Sequence, residues 1–160
     1  MELTQEEAER LFLIPKKSFE EFTITFPSEG DKLTLELYSD NKRYQFQLDI
    51  NRKGYVKPKL VFQNRYNKIF ILRRLDIIGA PHTNPPETNG IDFPLEFVNA
   101  VIPCPHLHFY YEGFNDKWAL PLDKVTDIVI LEGDSPFDIM TKFLKYCNIE
   151  EPNFDLHLFQ

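Results

Sequence analysis

Apolar and polar residues alternate along much of the chain, a pattern typical of strands with one buried and one solvent-facing side. Turn-forming residues separate the alternating segments, which are 21–26, 32–39, 43–50, 58–66, 68–77, 106–112 and 117–122. Successive strands joined by short turns pair in antiparallel fashion. The pattern therefore predicts an antiparallel sheet of about six strands, flat or curled.

A helix is predicted at each end of this run of strands. Thr4 caps the first helix, Glu7 completes a capping box, and Pro15 ends the helix. Asp134 or Ser135 caps the last helix, which carries an apolar stripe at helical spacing. The stripe consists of Phe137, Met140, Phe143, Leu144 and Cys147. A sheet flanked in sequence by an N-terminal and a C-terminal helix predicts an α+β fold.

The chain length of 160 residues predicts a single domain over residues 1–160. One long irregular segment, residues 79–105, interrupts the strands, and a connection of this length is typical of a functional or mobile loop. Residues 151–160 are predicted to add a short edge strand or to stay irregular.

Composition narrows the class of protein further. The chain has no apolar run of about 18 residues, so we expect no membrane span and no membrane partner. The first ten residues are acidic and polar and lack the pattern of a secretory leader. Two cysteines, Cys104 and Cys147, are too few for a disulfide framework and are expected to be reduced thiols. These features predict a cytoplasmic protein.

Charge is unevenly distributed along the chain. The net charge of −7 argues against nonspecific nucleic-acid binding by the whole molecule, but residues 50–75 contain eight basic residues and no acidic one. These basic residues are Arg52, Lys53, Lys57, Lys59, Arg65, Lys68, Arg73 and Arg74. Aromatic residues lie between them, a mixture suited to phosphate contact and base stacking. The segment predicts either a nucleic-acid-binding face or the ordinary solvent face of a hairpin.

Alternation also assigns side chains to the two faces of each strand. One face of strand 106–112 is predicted to carry His106, His108 and Tyr110. One face of strand 68–77 is predicted to carry Phe70, Leu72, Arg74 and Asp76. His82 follows the latter strand in the long loop that leads to the former. The three histidines are therefore expected to lie close to Arg74 and Asp76 at one edge of the sheet.

Three kinds of chemistry fit such a cluster. RNA cleavage without metal or cofactor needs a proton acceptor and a proton donor, which two histidines can supply near neutral pH. Arg74 or Lys117 would hold the phosphate in that case. Alternatively, His106 and His108 could bind a metal ion together with further ligands, although no flanking ligand set in the sequence specifies zinc. In the third interpretation, the histidines only form hydrogen bonds within the sheet.

Several segments resemble known families. The stretches RLDIIGAPHTNP, IPCPHLHFYYEGFNDKWALPL and FLKYCNI resemble a family of short bacterial and phage proteins defined only as a domain of unknown function, over roughly residues 49–149. The chain is also similar to the TumE-like toxins of toxin–antitoxin pairs. The similarity lies in Arg74-x-Asp76, in Pro81-His82 and in Pro105-His106 with His108, although the two halves are further apart in this chain.

The resemblance to TumE-like toxins implies action on RNA and a ribonuclease-like role for His82, His106 and His108. We therefore expect a metal-independent endoribonuclease of the toxin type, with Asp76 in the catalytic cluster and an antitoxin as possible protein partner. The alternative is a non-enzymatic inhibitor, carried by a phage or plasmid, that binds a host nuclease, a CRISPR complex or another defence complex. A small acidic protein suits that role because its surface can occupy a nucleic-acid channel.

Overall fold

The computed structural model describes residues 2–155 of the chain. The two α-helices are α1 (Gln5–Leu13) and α2 (Pro136–Tyr146). The strands are β1 (Ile24–Thr25), β2 (Lys32–Tyr38), β3 (Gln45–Asn51), β4 (Leu60–Tyr66), β5 (Phe70–Ile78), β6 (His82–Thr83), β7 (Val101–Ile102), β8 (His106–Tyr111), β9 (Asn115–Pro121) and β10 (Phe154–Asp155). Two single turns of 3₁₀ helix, Leu95–Phe97 and Leu122–Lys124, lie outside these elements.

Six of the strands form one antiparallel sheet in the order β2-β3-β4-β5-β8-β9. The sheet does not close into a barrel, because β2 and β9 are its two edges. Together with the two terminal helices, the sheet confirms the predicted α+β fold with about six antiparallel strands. Its strand order follows the sequence except that the segment from β6 to β7 lies between β5 and β8 in the chain.

Both helices begin as the sequence predicts and cover the same face of the sheet. Thr4 and Glu7 form a reciprocal capping box at α1, and Ser135, rather than Asp134, caps α2 in the same way with Asp138. The helices bury their apolar stripes against alternate residues of the strands. The shared core includes Leu11, Phe12, Leu37, Phe46, Leu48, Phe62, Leu75, Leu107, Met140 and Phe143. We call the opposite side of the sheet the open face.

The predicted alternation fails at one place in β5. Phe70 and Leu72 are buried in the core, whereas Arg74 and Asp76 lie on the open face, so the four residues do not share a face as predicted. The pairing of β4 with β5 shifts register between Asn64 and Arg65, because β5 has one residue more than β4 at this point. The extra residue reverses the alternation of side chains along β5. The sequence gives a sign of this shift, because two adjacent arginines stand where the alternating pattern would place one apolar residue.

A second irregularity affects Tyr110 in β8. The pairing of β8 with β9 shifts register between Phe109 and Tyr111. Tyr110 therefore points into the core, where its hydroxyl donates to the carbonyl of Leu3 at 2.8 Å. The prediction that Tyr110 shares a face with the two histidines of the strand is wrong for this reason.

Residues 21–26 and the C-terminal tail also differ from the simple pattern. Only Ile24–Thr25 forms a strand in the first segment, and it pairs in parallel with β10 outside the main sheet. Phe22 is 78% exposed, so the predicted apolar face of this segment is not buried as a whole. The short strand in the tail agrees with the predicted edge strand. The remaining tail residues, 156–160 with His157, lie outside the described residues.

The long segment 79–105 is not irregular throughout, because it contains the small antiparallel pair β6–β7. It runs along the outer edge of β9, where the side-chain amide of Asn84 donates to the carbonyl of Ala119 and accepts from its amide N–H. Asn84 thus replaces a neighbouring strand and satisfies the backbone of the sheet edge. No helix within residues 2–155 is long and apolar enough to cross a membrane.

Candidate functional site

Two rows of side chains, all polar except Val61, cross the open face at right angles to the strands. Pairing of successive strands aligns the first row, which consists of Thr34, Asp49, Gln63, Arg74 and His108. The next row consists of Lys32, Asn51, Val61, Asp76 and His106. Because directly paired residues share a face, both rows end at the histidines of β8. The predicted proximity of the histidines to Arg74 and Asp76 follows from this register.

Arg74 forms the centre of the cluster. Its Nε donates to Asp76 Oδ1 at 2.9 Å, and one terminal nitrogen donates to Asp116 Oδ2 at 2.9 Å. The other terminal nitrogen lies 2.9 Å from His108 Nε2. All three nitrogens of the guanidinium are therefore engaged, and two carboxylates compensate its single charge. Asp116, near the start of β9, is thus a direct partner of Arg74.

His108 is buried and held as a neutral ring. Its Nδ1 donates to the backbone carbonyl of Asp116 at 2.8 Å, which leaves Nε2 as the acceptor for Arg74. Burial, reinforced by the nearby charge of Arg74, lowers the pKa of His108 to about 3. The ring therefore carries a lone pair, not a proton, on the nitrogen that faces the cluster.

His106 is completely buried beside Asp76. Its Nδ1 donates to the carbonyl of Pro103 at 3.2 Å. Its Nε2 has no hydrogen-bond partner within residues 2–155, although it lies only 3.4 Å from Asp76 Oδ2. Burial acts to raise the pKa of Asp76, but contacts with His106 and Arg74 outweigh burial and keep that pKa below its ordinary value.

His82 is half-buried and is the most accessible of the three histidines. Its ring stands edge-on to that of His108, with the ring centroids 4.6 Å apart, and its centroid is 6.2 Å from that of His106. His82 Nε2 lies 2.6 Å from the carbonyl of Lys117 and must be the protonated nitrogen, since a carbonyl can only accept. This contact fixes the tautomer and leaves a lone pair on Nδ1. The short strand β6 positions the ring over the edge formed by β8 and β9.

A polar groove of about 450 Å³ runs along the open face and reaches the cluster at Arg74 and Asp76. The charged residues that line it are Lys32, Asp49, Lys59, Arg65, Arg74 and Asp76. Four cations and two carboxylates give the groove a net positive charge, in contrast to the net charge of −7 for the whole chain. Lys32 was not predicted as a site residue, although it lies in the polar phase of the alternation of β2.

The predicted basic residues lie in several separate parts of the structure. Lys59, Arg65 and Arg74 line the groove, and Arg65 is bound to Asp49 within it. Lys53 and Lys57 are exposed on the loop between β3 and β4. Lys117 contributes its carbonyl to His82.

Three predicted basic residues lie apart from the groove. Arg73 faces the helices, where its guanidinium stacks on Phe12 at 4.0 Å and donates to the hydroxyl of Tyr146. Arg52 donates to the carbonyl of Pro27, and the backbone N–H of Lys68 in the turn between β4 and β5 donates to Gln47. The eight basic residues of the segment therefore do not form one continuous face, because the register shift in β5 sends Arg73 to the other side.

The cluster also contains a set of atoms that could hold a metal ion. One ligand atom each from Asp76, His106 and His108 lies within 4.8 Å of the other two. All three residues are buried.

Asn84, which anchors the adjoining loop, was missed from the sequence because its role depends on the path of that loop past the edge of β9.

Fold and site together define a small α+β protein with a buried aspartate–arginine–histidine cluster at the end of a cationic groove. The chain belongs to DUF6978, a family of unknown function whose model matches residues 3–149. This match confirms the predicted relation to a family defined only as a domain of unknown function. No curated protein and no solved structure matches the chain.

Proposed function

We propose that this protein acts on nucleic acid, and that it cleaves RNA on the open face of the sheet with His82 as the general base. The observation that carries this proposal is the placement of His82. Its tautomer is fixed by the carbonyl of Lys117, and its Nδ1 accepts no hydrogen bond from any other residue within 2–155. A neutral imidazole with one nitrogen anchored and the other free is suited to abstract the proton of a ribose 2′-hydroxyl. The 2′-oxygen then attacks the phosphorus, the bond from phosphorus to the 5′-oxygen breaks, and the leaving 5′-oxygen takes a proton from water.

The groove supports a phosphodiester substrate. Lys32, Lys59, Arg65 and Arg74 all line it, and cations along one groove can neutralise phosphates of a bound strand. Electrostatic stabilisation of the charge that develops on the reacting phosphate is a large contribution in such reactions. The groove is net positive within a molecule whose net charge is −7, which favours a polyanion bound in the groove over nonspecific adhesion to the whole molecule.

The loop between β3 and β4 supports a single-stranded substrate. Tyr55 on this loop is 96% exposed, and the neighbouring Lys53 and Lys57 are also exposed. The loop leaves the sheet next to Asn51, which stands in the same row as Asp76 and His106, so loop and cluster lie at the same end of the sheet. An exposed tyrosine between lysines can stack on a base that is not paired.

The buried members of the cluster are positioning residues in this proposal. His106 and His108 are nearly inaccessible, at 0% and 1% exposure, so neither ring contacts a substrate as the sequence-based assignment as acid and base would require. Arg74 is engaged with Asp76, Asp116 and His108 and acts through its charge. In this proposal the buried cluster therefore acts indirectly, by holding His82 in position.

The test is cleavage of a labelled single-stranded RNA by purified protein, compared between the wild type and His82→Gln. Glutamine can still donate to the carbonyl of Lys117 but offers no basic nitrogen, so we expect the cleavage rate to fall by about 100-fold or more. Thr83→Ala, an exposed change in the same short strand, is the matched control and should cleave at the wild-type rate. Equal rates for His82→Gln and the wild type would contradict the assignment.

A second candidate function is inhibition of a nuclease or defence complex by protein–protein binding. The observation that favours it is the acidity of the rest of the molecule, which holds 25 acidic and 10 basic residues outside residues 50–75. In that case the purified protein would cleave no RNA, and reversal of surface acids would weaken binding to the partner. The His82→Gln variant would then behave as the wild type.

A further inference from the structure

We propose that Asp76, His106 and His108 form a binding site for one divalent first-row transition metal ion. The ligand atoms are Asp76 Oδ2, His106 Nε2 and His108 Nε2. The assignment stands on the geometry of these three residues and rests on the proposed function only for the role of the ion. The site would lie directly beneath His82 and open toward the groove.

The separations between the ligand atoms fit an ion of this size. Asp76 Oδ2 lies 3.4 Å from His106 Nε2 and 3.8 Å from His108 Nε2. Ligand atoms that each lie about 2.0–2.2 Å from a tetrahedral zinc ion are roughly 3.3 Å apart. All three ligand atoms lie within 4.8 Å of one another, so the two histidine rings and the carboxylate must draw together around the ion to reach coordination distance.

Both histidines are oriented in the way that metal ligands usually are. In each ring, Nδ1 donates to a backbone carbonyl, that of Pro103 for His106 and that of Asp116 for His108. Such outer contacts fix the tautomer and direct the lone pair of Nε2 toward the metal. These hydrogen bonds lock the rings on the sheet, where both Nε2 atoms lie within 4 Å of Asp76 Oδ2.

The unpartnered nitrogen of His106 is an independent sign of a missing ligand. His106 Nε2 is fully buried and has no hydrogen-bond partner in the described part of the chain. Buried polar atoms are nearly always satisfied, because leaving them unpaired costs free energy. The atom points toward a carboxylate oxygen, and a cation between the two would satisfy both.

Arg74 sets the condition for metal binding. One terminal nitrogen now contacts His108 Nε2 at 2.9 Å and Asp76 Oδ2 at 3.4 Å, so this end of the guanidinium must turn away from both ligand atoms when an ion enters. The Nε contact with Asp76 Oδ1 can remain, because the ion would use the other carboxylate oxygen. The side chain of Arg74 is 28% exposed and borders the groove, which gives it room to move.

The donor set selects the class of ion. Two imidazoles and one carboxylate suit zinc, iron or nickel better than magnesium or calcium, and three protein ligands leave coordination positions open. An ion bound there would supply a Lewis acid for a phosphoryl oxygen. His82 is not a ligand in this assignment and keeps its contact with Lys117.

The test is titration of chelator-treated protein with Zn²⁺ by calorimetry, supported by the visible absorption of bound Co²⁺. We expect one site per chain, and we expect His106→Leu and Asp76→Asn each to weaken binding by about 100-fold or more. His82→Gln is the matched control from the same cluster and should bind within about threefold of the wild type. Circular dichroism and thermal melting establish that each variant is folded, and His106→Gln replaces His106→Leu if the latter is not.

Two results would overturn the site: absence of binding by the wild type, or equal binding by the wild type and the folded His106 and Asp76 variants. The latter would indicate adventitious binding to other surface groups. Failure of the proposed function has a different signature. Zn²⁺ binding that depends on His106, without any RNA cleavage, would retain the metal site and contradict the ribonuclease, whereas cleavage without metal binding would do the reverse.

Discussion

Two buried polar side chains on opposite faces of the sheet differ in how fully their hydrogen-bonding groups are satisfied. On the helix-covered face, Lys16 is 1% exposed, and its ammonium donates to the carbonyls of Phe12, Ile14 and Cys147 at 2.7, 2.9 and 2.8 Å. On the open face, His106 is equally buried, but its Nε2 has no hydrogen-bond partner within residues 2–155. The three donors of Lys16 match three acceptors, whereas the acceptors around His106 outnumber the donors.

The difference separates a structural cluster from a functional one. Lys16 binds the last turns of both helices and leaves nothing for a ligand to satisfy. The cluster of Asp76, His106 and His108 borders a groove and has unused bonding capacity. We infer that the first group serves the stability of the fold and the second serves binding. The following variants test this difference by measuring what each group contributes to stability.

The largest effect on stability is expected for Lys16→Met. Methionine fills a similar volume but leaves the three carbonyl groups unpaired, so we expect the free energy of unfolding to fall by about 2–3 kcal/mol. Urea denaturation followed by circular dichroism measures the change. Lys17→Met is the control, because the contacts of Lys17 with Asp40 and with the ring of Phe19 lie at the surface and the change should alter stability little. A Lys16→Met protein as stable as the wild type would remove the structural half of the comparison.

A smaller effect is expected for Asp49→Asn, which tests a satisfied group on the open face. Asp49 accepts hydrogen bonds from Thr34, Gln63 and Arg65. Burial acts to raise its pKa, but these hydrogen bonds outweigh burial and lower it. We expect a loss of about 1–2 kcal/mol at neutral pH, measured by urea denaturation.

The stability difference between wild type and Asp49→Asn should depend on pH in a defined direction. Because the folded-state pKa of Asp49 is depressed, its ionised form contributes stability above the unfolded value of about 3.9. That contribution is lost as the pH falls through the folded-state pKa. The two proteins should therefore converge in acid and differ fully at pH 6, and a constant difference from pH 6 to pH 2 would contradict this account.

The smallest effect is expected for His106→Leu in protein treated with a chelator. The removed Nε2 has no hydrogen-bond partner in the described part of the chain, and the variant loses one hydrogen bond to Pro103 and the 3.4 Å contact with Asp76, so we expect the free energy of unfolding to fall by about 1 kcal/mol. His108→Leu is the matched control on the same strand. It breaks two satisfied contacts, with Asp116 and Arg74, and should cost about 2–3 kcal/mol. Equal losses in the two variants would mean that His106 is structural.

Most of the fold could be predicted because local signals determine it. Capping residues mark both helices, and alternation marks the six strands of the sheet. The parallel pairing of Ile24–Thr25 with Phe154–Asp155 could not be predicted, since it joins the two ends of the chain. Alternation also gives no direct account of an extra residue in a strand, so the faces of Leu72 and Tyr110 were assigned wrongly.

The site could be predicted in part. The proximity of His82, His106, His108 and Asp76 followed from strand faces and from the loop that joins them. Their burial did not, because it depends on how segment 79–105 lies over the edge of β9, which Asn84 secures. Burial in turn changes the roles, since an inaccessible ring can position or bind an ion but cannot touch a substrate.

A crystal structure of the protein grown with Zn²⁺, with anomalous data at the zinc edge, tests directly whether Asp76, His106 and His108 bind a metal ion. The account predicts one anomalous peak bonded to Asp76 Oδ2, His106 Nε2 and His108 Nε2, with the guanidinium of Arg74 turned away from His108. Arg74 still bound to His108, with no peak among the three ligand atoms, would contradict it.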